Sequence, residues 1–364
     1  LQMPAKPPHE TLVLVTGASG FIASQVVSHL LSRGFRVRGT VRSLANRRKV
    51  DPVRALDVGG RLELVEADLL VPEHWIPAVS GCDFVQHIAS PFPIIADEKC
   101  ISTAVDGTLN VFRAVAQCPS VQKVVLTSSC AAVNEGHPQN QLFTEEFWTN
   151  VESKSVGAYA KSKTLAERAA WEFHSSLGAS ASFRLTVLNP VFVVGPVLID
   201  EQGASISVIR QFLHHELPAL PPMQLALVDV RDVAVAHVEA MLRREADGER
   251  ILLTAQPSFW FSDISAVLRK EFSNQGYWIP RIRVPAFFVW LFSFCDKQAA
   301  SILDRVGFQL RFDNSKAKRL LGMEFANPSK ALLAMAHSLI QRGIVRRTRG
   351  YSGCPEEYSN NNFK

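Results

Sequence analysis

The chain has 364 residues, 47% of them hydrophobic and 20% charged, with a net charge of +5. That composition describes a soluble globule with an ample core, either one large domain or a main domain with a lobe. The basic residues are scattered rather than striped, which argues against a nucleic-acid binder. Leu12 to Val15 is an apolar run that predicts a strand, and a glycine turn follows, Gly17-Ala18-Ser19-Gly20. Apolar residues then recur at helical spacing: Ile22, Ala23, Val26, Val27, Leu30 and Leu31. Glycine serves where a turn needs unusual dihedrals or where backbone must approach a ligand closely. The unpaired N–H groups opening such a helix attract a pyrophosphate. The pattern is GxxGxxA, with Ala23 small enough for close helix–strand packing. Its strand–turn–helix setting is that of a dinucleotide fingerprint.

Gly34 ends the first helix, and Phe35 to Val41 predicts a second strand. Where that strand ends, NAD-specific folds place an acid for the ribose hydroxyls. Here the chain reads Thr40-Val41-Arg42-Ser43, then Asn46-Arg47-Arg48-Lys49, with cations and no carboxylate. A 2′-phosphate would find charge-assisted partners there, which favours NADPH over NADH. The other reading is a solvated basic face at a helix start. Leu62 to Ala67 predicts a third strand, ending in Asp68-Leu69. Asp68 can accept from an adenine amino group or simply cap the next turn of chain. Asp83 to Ile88 predicts a fourth strand, and the small residues after it, Ala89 and Ser90, let a cofactor pass over its end. Ile101 to Ala116 reads as a helix carrying Asn110. Val121 to Leu126 predicts a fifth strand running into Thr127-Ser128-Ser129-Cys130. Five alternations of strand and helix, at spacings that suit right-handed crossovers, make a doubly wound parallel α/β sheet. Its ligands belong at the carboxyl ends of the strands, where every polar signal named so far falls.

The next helical stretch holds Tyr159-Ala160-Lys161-Ser162-Lys163. Tyr159 and Lys163 are four apart and share a helix face. A nearby ammonium favours the phenolate and lowers its pKa, so the pair can give a proton to a carbonyl oxygen or take one from an alcohol. Ser129, at the end of the fifth strand, can hydrogen-bond the same oxygen, and Lys163 can also hold the nicotinamide ribose hydroxyls. Taken alone, Tyr-x-x-x-Lys is a common surface pair. Its place after a glycine turn and a strand-end serine pair makes it a catalytic candidate.

At these residues the chain resembles an extended short-chain dehydrogenase/reductase, within the NAD-dependent epimerase/dehydratase superfamily. It is most similar to the dihydroflavonol reductase-like group. The motifs that carry the likeness run from Val15 to Ser24, then Thr40-Val41-Arg42, Ala67-Asp68-Leu69, Thr127-Ser128-Ser129 and Tyr159 to Lys163. Later ones are Asn189 to Pro196 and Val228 to Ala234, so the resemblance covers about residues 11 to 342. It implies a Rossmann domain over 11–190 and a smaller carboxyl-terminal substrate lobe, mainly 191–342, with some strands returning to the sheet. It implies NADP(H) as cofactor. Ser129 would polarise the substrate, Tyr159 would donate the proton and Lys163 would tune it, the choice of Ser129 over Ser128 resting on motif alignment. Gly17, Ser19, Gly20, Phe21 and Ile22 would form the phosphate turn. Arg42 and Lys49 match the 2′-phosphate contacts, Asp68 and Leu69 the adenine contacts, and Ile88, Ala89 and Ser90 the strand-end contacts. Pro190 to Val193 matches the segment beside the nicotinamide, and Ser205 the diphosphate. Phe192 stands where related reductases often have a smaller residue and would narrow the pocket. Asn134 falls where flavonoid reductases bind substrate hydroxyls.

In the last third, strands are expected at Leu225 to Val230 and Ile251 to Thr254. Helices are expected at Arg231 to Arg244, Ser262 to Ser273, around Pro285 to Leu303, at Asn314 to Leu321 and at Ser329 to Arg342. The apolar run Val284 to Cys295 is too short for a membrane span. It reads as a helix that is buried or lines the pocket, with surface contact with a membrane the sharper alternative. Phe287, Phe288, Trp290 and Phe292 are expected to line an apolar substrate pocket or to form the lobe core. His214-His215 reads as a solvated or capping pair. The tail, Arg346 to Lys364, is polar and expected to be disordered. Six cysteines, Cys82, Cys100, Cys118, Cys130, Cys295 and Cys354, lie far apart with no metal-ligand spacing, so thiols in a reducing compartment and no metal are expected. The amino-terminal LQMPAKPPHE lacks an apolar core for a secretory signal, so a cytoplasmic place is the default, and a start without Met reads as incomplete.

The expected function is an NADPH-dependent reduction of a ketone or aldehyde in a mostly apolar small molecule, by a monomer or homodimer. The alternatives are a 3β-hydroxysteroid-type dehydrogenase, a sugar-nucleotide epimerase or dehydratase using NAD, and a non-catalytic NADP sensor.

Overall fold

The computed structural model describes residues 6–90, 98–138, 140–200, 203–293 and 303–358. Seven parallel strands form one sheet: β1 (Leu12–Val15), β2 (Arg36–Val41), β3 (Leu62–Glu66), β4 (Phe84–His87), β5 (Lys123–Thr127), β7 (Arg184–Pro190) and β11 (Arg250–Leu253). Their order is β11-β7-β5-β4-β1-β2-β3. The chain works outward from β1 in one direction, then returns to the other side of β1 with β4. The crevice between the ends of β1 and β4 is therefore the switch point of the topology, where such sheets bind ligands. The five strands expected before Tyr159 and the one at Ile251 to Thr254 are present to within one or two residues, the strand at Arg184–Pro190 was not expected, and the one expected at Leu225 to Val230 is divided into Gln224–Leu225 and Leu227–Asp229.

The central strands β1, β4 and β5 are buried on both faces, and helices cover both. On one side lie α1 (Phe21–Ser32) and α7 (Val230–Leu242), packed on each other. On the other lie α3 (Trp75–Val79), α4 (Lys99–Ala116) and α5 (Ala158–Ser176), with α2 (Arg47–Arg54) following β2. Two apolar clusters result, one holding Val26, Leu30 and Val233, the other Trp75, Phe112, Phe183 and Leu185. Continuous burial of Val, Leu and Ile in the central strands is what a sheet covered on both faces requires.

A second lobe has its own core. Phe212 of α6 (Ala204–Leu213), Leu268 and Phe272 of α8 (Phe261–Phe272) and Leu332 and Met335 of a helix at Pro328–Gln341 pack together. Short pairs tie the lobes. Strand β6 (Leu142–Phe143) runs parallel to β13 (Arg311–Phe312), and β8 (Phe192–Val194) runs parallel to β10 (Leu227–Asp229). The antiparallel pair of β9 (Gln224–Leu225) and β12 (Phe259–Trp260) completes the set. After α9 (Ala286–Ser293) come α10 (Ser315–Leu321) and the helix just named, α11 (Pro328–Gln341).

Two expectations fail here. The tail is packed as far as residue 358: Tyr351 is buried, its hydroxyl 2.9 Å from Nδ1 of His337, and Ser352 donates to Gln275. A single aromatic anchor outweighs the polar composition around it; residues 359–364 lie outside those described. No described side chain of α9 lines the main cavity or joins the lobe core. Its Phe287, Phe288, Trp290 and Leu291 are exposed, Phe287 by 61%, and among its described side chains only Val289 is buried. The side chain of Phe292, and Cys295, lie outside the described residues. Among those described, no helix is long and apolar enough to cross a membrane. His214 ends α6 as its cap and lies 3.4 Å from Glu216, while His215 meets the Trp278 carbonyl.

Candidate active site

The carboxyl ends of β1 to β5 and β7 open into one cavity of about 1230 Å³. It begins at the glycine turn. Gly17 has φ +66°, and a Cβ there would stand 3.0 Å from the Cβ of Ala89, so β1 and β4 close on each other only because the side chain is missing. The turn is held from both neighbours. Thr40 of β2 accepts from the N–H of Gly17 through Oγ1 and of Ala18 through its carbonyl. Thr16 Oγ1 accepts from Ile88 and Ala89 at 2.9 Å each, leaving its own proton for Nδ1 of His87, 3.0 Å away. His87 is fully buried and stays neutral, its pKa held down to about 3 by burial and then by Lys163. Gly20 caps α1 with no side-chain acceptor, so Phe21 and Ile22 bring the first turn of the helix to the cavity uncapped.

At one end the cavity is lined by Arg42, Ser43, Asn46 and Lys49, with Asp68 and Leu69 opposite. Both open readings of Asp68 have support: it lines the cavity, and its Oδ1 caps Leu70 N at 2.9 Å. The carboxylate of Glu66, one strand over, is bound to Leu44 N and orders the loop that carries Ser43 and Asn46. A bare glycine turn, an uncapped helix start and two cations, with no carboxylate between Thr40 and Lys49, fit a dinucleotide bearing a 2′-phosphate.

At the other end the Tyr159 hydroxyl hydrogen-bonds the Ser129 side chain. Ser129 Oγ also accepts from Ala131 N at 3.1 Å, and Lys163 Nζ lies 6.0 Å from the Tyr159 ring centre. Ser128 turns the opposite way, donating to Glu167 at 2.5 Å. The two serines thus have different partners, and it is Ser129 that meets the phenol. The electrostatics differ from expectation. Burial pushes Tyr159 up to about 12, opposed by the hydrogen bond with Ser129. Burial also brings Lys163 down to about 8, with Glu167 pulling it back up. Desolvation, which sequence spacing does not reveal, outweighs the neighbouring ammonium. Cys130 lines the cavity beside Ser129, its thiol pushed up to about 12 by burial and therefore protonated.

All the candidate residues line this cavity: Gly17, Ser19, Gly20, Phe21, Ile22, Arg42, Lys49, Asp68, Leu69, Ile88, Ala89, Ser90, Ser129, Asn134, Tyr159, Lys163, Pro190, Phe192, Val193 and Ser205. Ser205 comes from the first turn of α6, and Asn134 has a buried Oδ1 with no partner among the described residues. The apolar wall beyond Ser129 is built from Phe192, Leu225, Phe308, Leu310 and Phe312, in place of the aromatics of α9. Arg305 and Glu135 bridge its rim at 2.5 Å.

A profile of the NAD dependent epimerase/dehydratase family matches residues 13–253. The chain belongs to that family. Within the epimerase/dehydratase family it falls in the dihydroflavonol reductase-like group of extended short-chain dehydrogenases/reductases. The cinnamoyl-CoA reductase CAD2 of Medicago truncatula is 37% identical over 272 residues, spanning 72% of this chain and 81% of that relative. The NADPH-dependent methylglyoxal reductase GRE2 of Saccharomyces cerevisiae is 30% identical, across 90% of this chain and 98% of that one. The structure of yeast methylglyoxal/isovaleraldehyde reductase Gre2 complexed with NADPH superposes with a TM-score of 0.75 at 28% identity, covering 91% of this chain and 99% of that chain.

Sequence reading missed Thr16 and Thr40, whose hydroxyls build the turn, and Glu167, Asn189 and Arg250 behind Ser129. One signal was available: Glu167 follows Lys163 by four residues, as Lys163 follows Tyr159, so all three share a face.

Proposed function

We propose that this chain is an NADPH-dependent reductase of a ketone or aldehyde carried by a mostly apolar small molecule, with Tyr159 as proton donor. The observation that carries the reading is the Tyr159 hydroxyl bonded to Ser129 inside the cavity whose far end holds Arg42 and Lys49. NADPH, which the glycine turn, Arg42 and Lys49 would hold, would supply hydride-transfer chemistry when bound. Ser129 Oγ, already in contact with the phenol, donates to the carbonyl oxygen and orients it. Tyr159, whose pKa of about 12 keeps it protonated at neutral pH, gives its proton to that oxygen as negative charge develops. Lys163, a turn further on, keeps a cation near the resulting phenolate while its pKa of about 8 leaves it mostly charged at pH 7. Phe192, Leu225, Phe308, Leu310 and Phe312 supply apolar area to the substrate, and Asn134 and Gln224 supply a few polar contacts.

Purified protein should consume NADPH with a panel of ketones and aldehydes, steroid ketones included. In Tyr159→Phe, turnover should fall by about a thousandfold or more, while the Kd for NADPH stays within about threefold, as for loss of an acid that acts only in the transition state. Equal loss of binding and rate would overturn the role. Tightly copurified NAD with indifference to added NADPH would point to a sugar-nucleotide epimerase instead.

A further inference from the structure

Behind the serine pair lies a carboxylate that the reaction above does not use. Glu167 is 1% exposed and stands on α5, two turns past Tyr159 and one past Lys163. Its Oε2 accepts from Ser128 Oγ at 2.5 Å and from Asn189 Nδ2 at 2.8 Å. Its Oε1 pairs with Arg250 Nε at 2.5 Å. Asn189 Nδ2 also donates to the Ser129 carbonyl at 3.2 Å. Arg250 reaches onward, donating to the carbonyls of Glu145 and Phe147, with its guanidinium 3.6 Å from the Trp148 ring centre. One carboxylate therefore fastens the end of β5, the end of β7 and the start of β11 to the helix that carries the phenol and the ammonium.

A buried ion pair is weak evidence for stability, because desolvating both charges costs about what their attraction returns. What this arrangement does fix is relative position. Ser129, Tyr159 and Pro190 come from three different elements, and Glu167 is bonded to all three: to α5 by sequence, to β5 through Ser128, and to β7 through Asn189. A misplacement of about 1 Å between acid, orienting hydroxyl and cofactor can cost about a hundredfold in rate.

We propose that Glu167 is a positioning residue for proton transfer: it sets Ser129 against Tyr159 and places a negative charge behind the Lys163 ammonium. The proposal rests on the reading of Tyr159 as proton donor. Around Lys163, His87 faces it from β4 and is neutral, Tyr159 on its own helix is neutral, and Arg250 from β11 is bound to Glu167. Glu167 is thus the charge that sustains the ammonium against desolvation. Neutralising it should let the ammonium lose its proton at lower pH.

The test is Glu167→Gln, assayed with NADPH and a turned-over carbonyl across pH 6 to 10. The expected result is a kcat at pH 7 lower by about tenfold or more, as for a disturbed acid, with the Kd for NADPH within about threefold. The alkaline limb of kcat should also move to lower pH, a shift that loosened packing alone does not produce. A wild-type kcat, or a fall in kcat with the alkaline limb unmoved, would overturn the proposal. If Glu167→Gln does not fold, Ser128→Ala decides. It leaves the pair with Arg250 intact and severs only the link to β5, so kcat should fall about fivefold with NADPH affinity unchanged; a wild-type kcat there refutes the positioning role. Tyr159→Phe assayed in parallel separates the two claims. Turnover in that variant defeats the proton-donor reading itself, whereas a dead Tyr159→Phe beside a normal Glu167→Gln defeats only this one.

Discussion

Arg42 follows the end of β2, where a carboxylate would have selected a free ribose, Lys49 stands in the first turn of α2, and both line the cavity. Their type and place were readable from the sequence because charge identity is a local property. The adjacent serines were harder. Ser128 and Ser129 are equivalent in a string of letters, and what separates them is a partner 39 residues away for one and a phenol for the other. Burial was harder still, since the desolvation that raises Tyr159 and lowers Lys163 comes from atoms contributed by several elements. The cation pair makes a prediction at this scale. Hydrogen bonds to charged groups contribute about 1.5–3 kcal/mol each, toward the lower end here because Arg42 is exposed. Arg42→Ala with Lys49→Ala should therefore raise the Kd for NADPH by about a hundredfold and leave that for NADH within about threefold. Titration of intrinsic fluorescence with each cofactor, at two salt concentrations, measures both. Equal weakening toward NADH would place the cations elsewhere than on the 2′-phosphate.

At the scale of elements, the strand–turn–helix unit was legible because its glycines answer a backbone need that few other residues meet. The hydroxyls that brace it were not, because Thr16 and Thr40 look like any strand threonines until β2 and β4 are placed on either side. Helix α9 failed for the opposite reason. An unbroken apolar stretch implies burial, yet the neighbouring elements leave Phe287 and Trp290 exposed and build the pocket wall from Phe308 to Phe312 instead. The turn itself can be tested by Gly17→Ala. A left-handed conformation costs an alanine about 1–2 kcal/mol, and the new Cβ would press on Ala89, its Cβ 3.0 Å away and its Cα 3.3 Å. Relieving that contact must move β1 and β4 apart at the crevice. The variant should lose about 2–3 kcal/mol of stability by urea denaturation and bind NADPH at least about tenfold more weakly. Wild-type stability with normal binding would mean that close approach of the two strands is not what the glycine provides.

For the molecule as a whole, the doubly wound sheet was readable from the alternation of segments, since each crossover is local in sequence. The second lobe was readable only as a set of helices. Its core joins Phe212, Leu268, Met335 and Tyr351, and no periodicity reports that such distant segments meet. The same long-range packing buries histidines whose neutrality the fold then depends on. His87 and His237 are each held down to about 3 by burial. In His237, Nδ1 donates to Gln86 Oε1 and Nε2 accepts from Thr127, so both nitrogens are engaged in the neutral form. Between pH 6.5 and about 3 the unfolded chain binds these protons and the folded chain does not. The stabilisation from neutral burial is therefore complete above pH 6.5 and lost as pH falls toward the folded values, by about 1.4 kcal/mol per pH unit for each histidine. The unfolding free energy from urea denaturation, measured from pH 7.5 to 4.5, should fall steeply below pH 6, at about 3 kcal/mol per pH unit for the pair. His237→Gln, which keeps a donor and an acceptor between Gln86 and Thr127, should start less stable at pH 7.5 but lose only about half as much per unit. An unchanged slope in that variant would show that carboxylates, rather than these rings behind β4 and β5, set the acid limit of the fold.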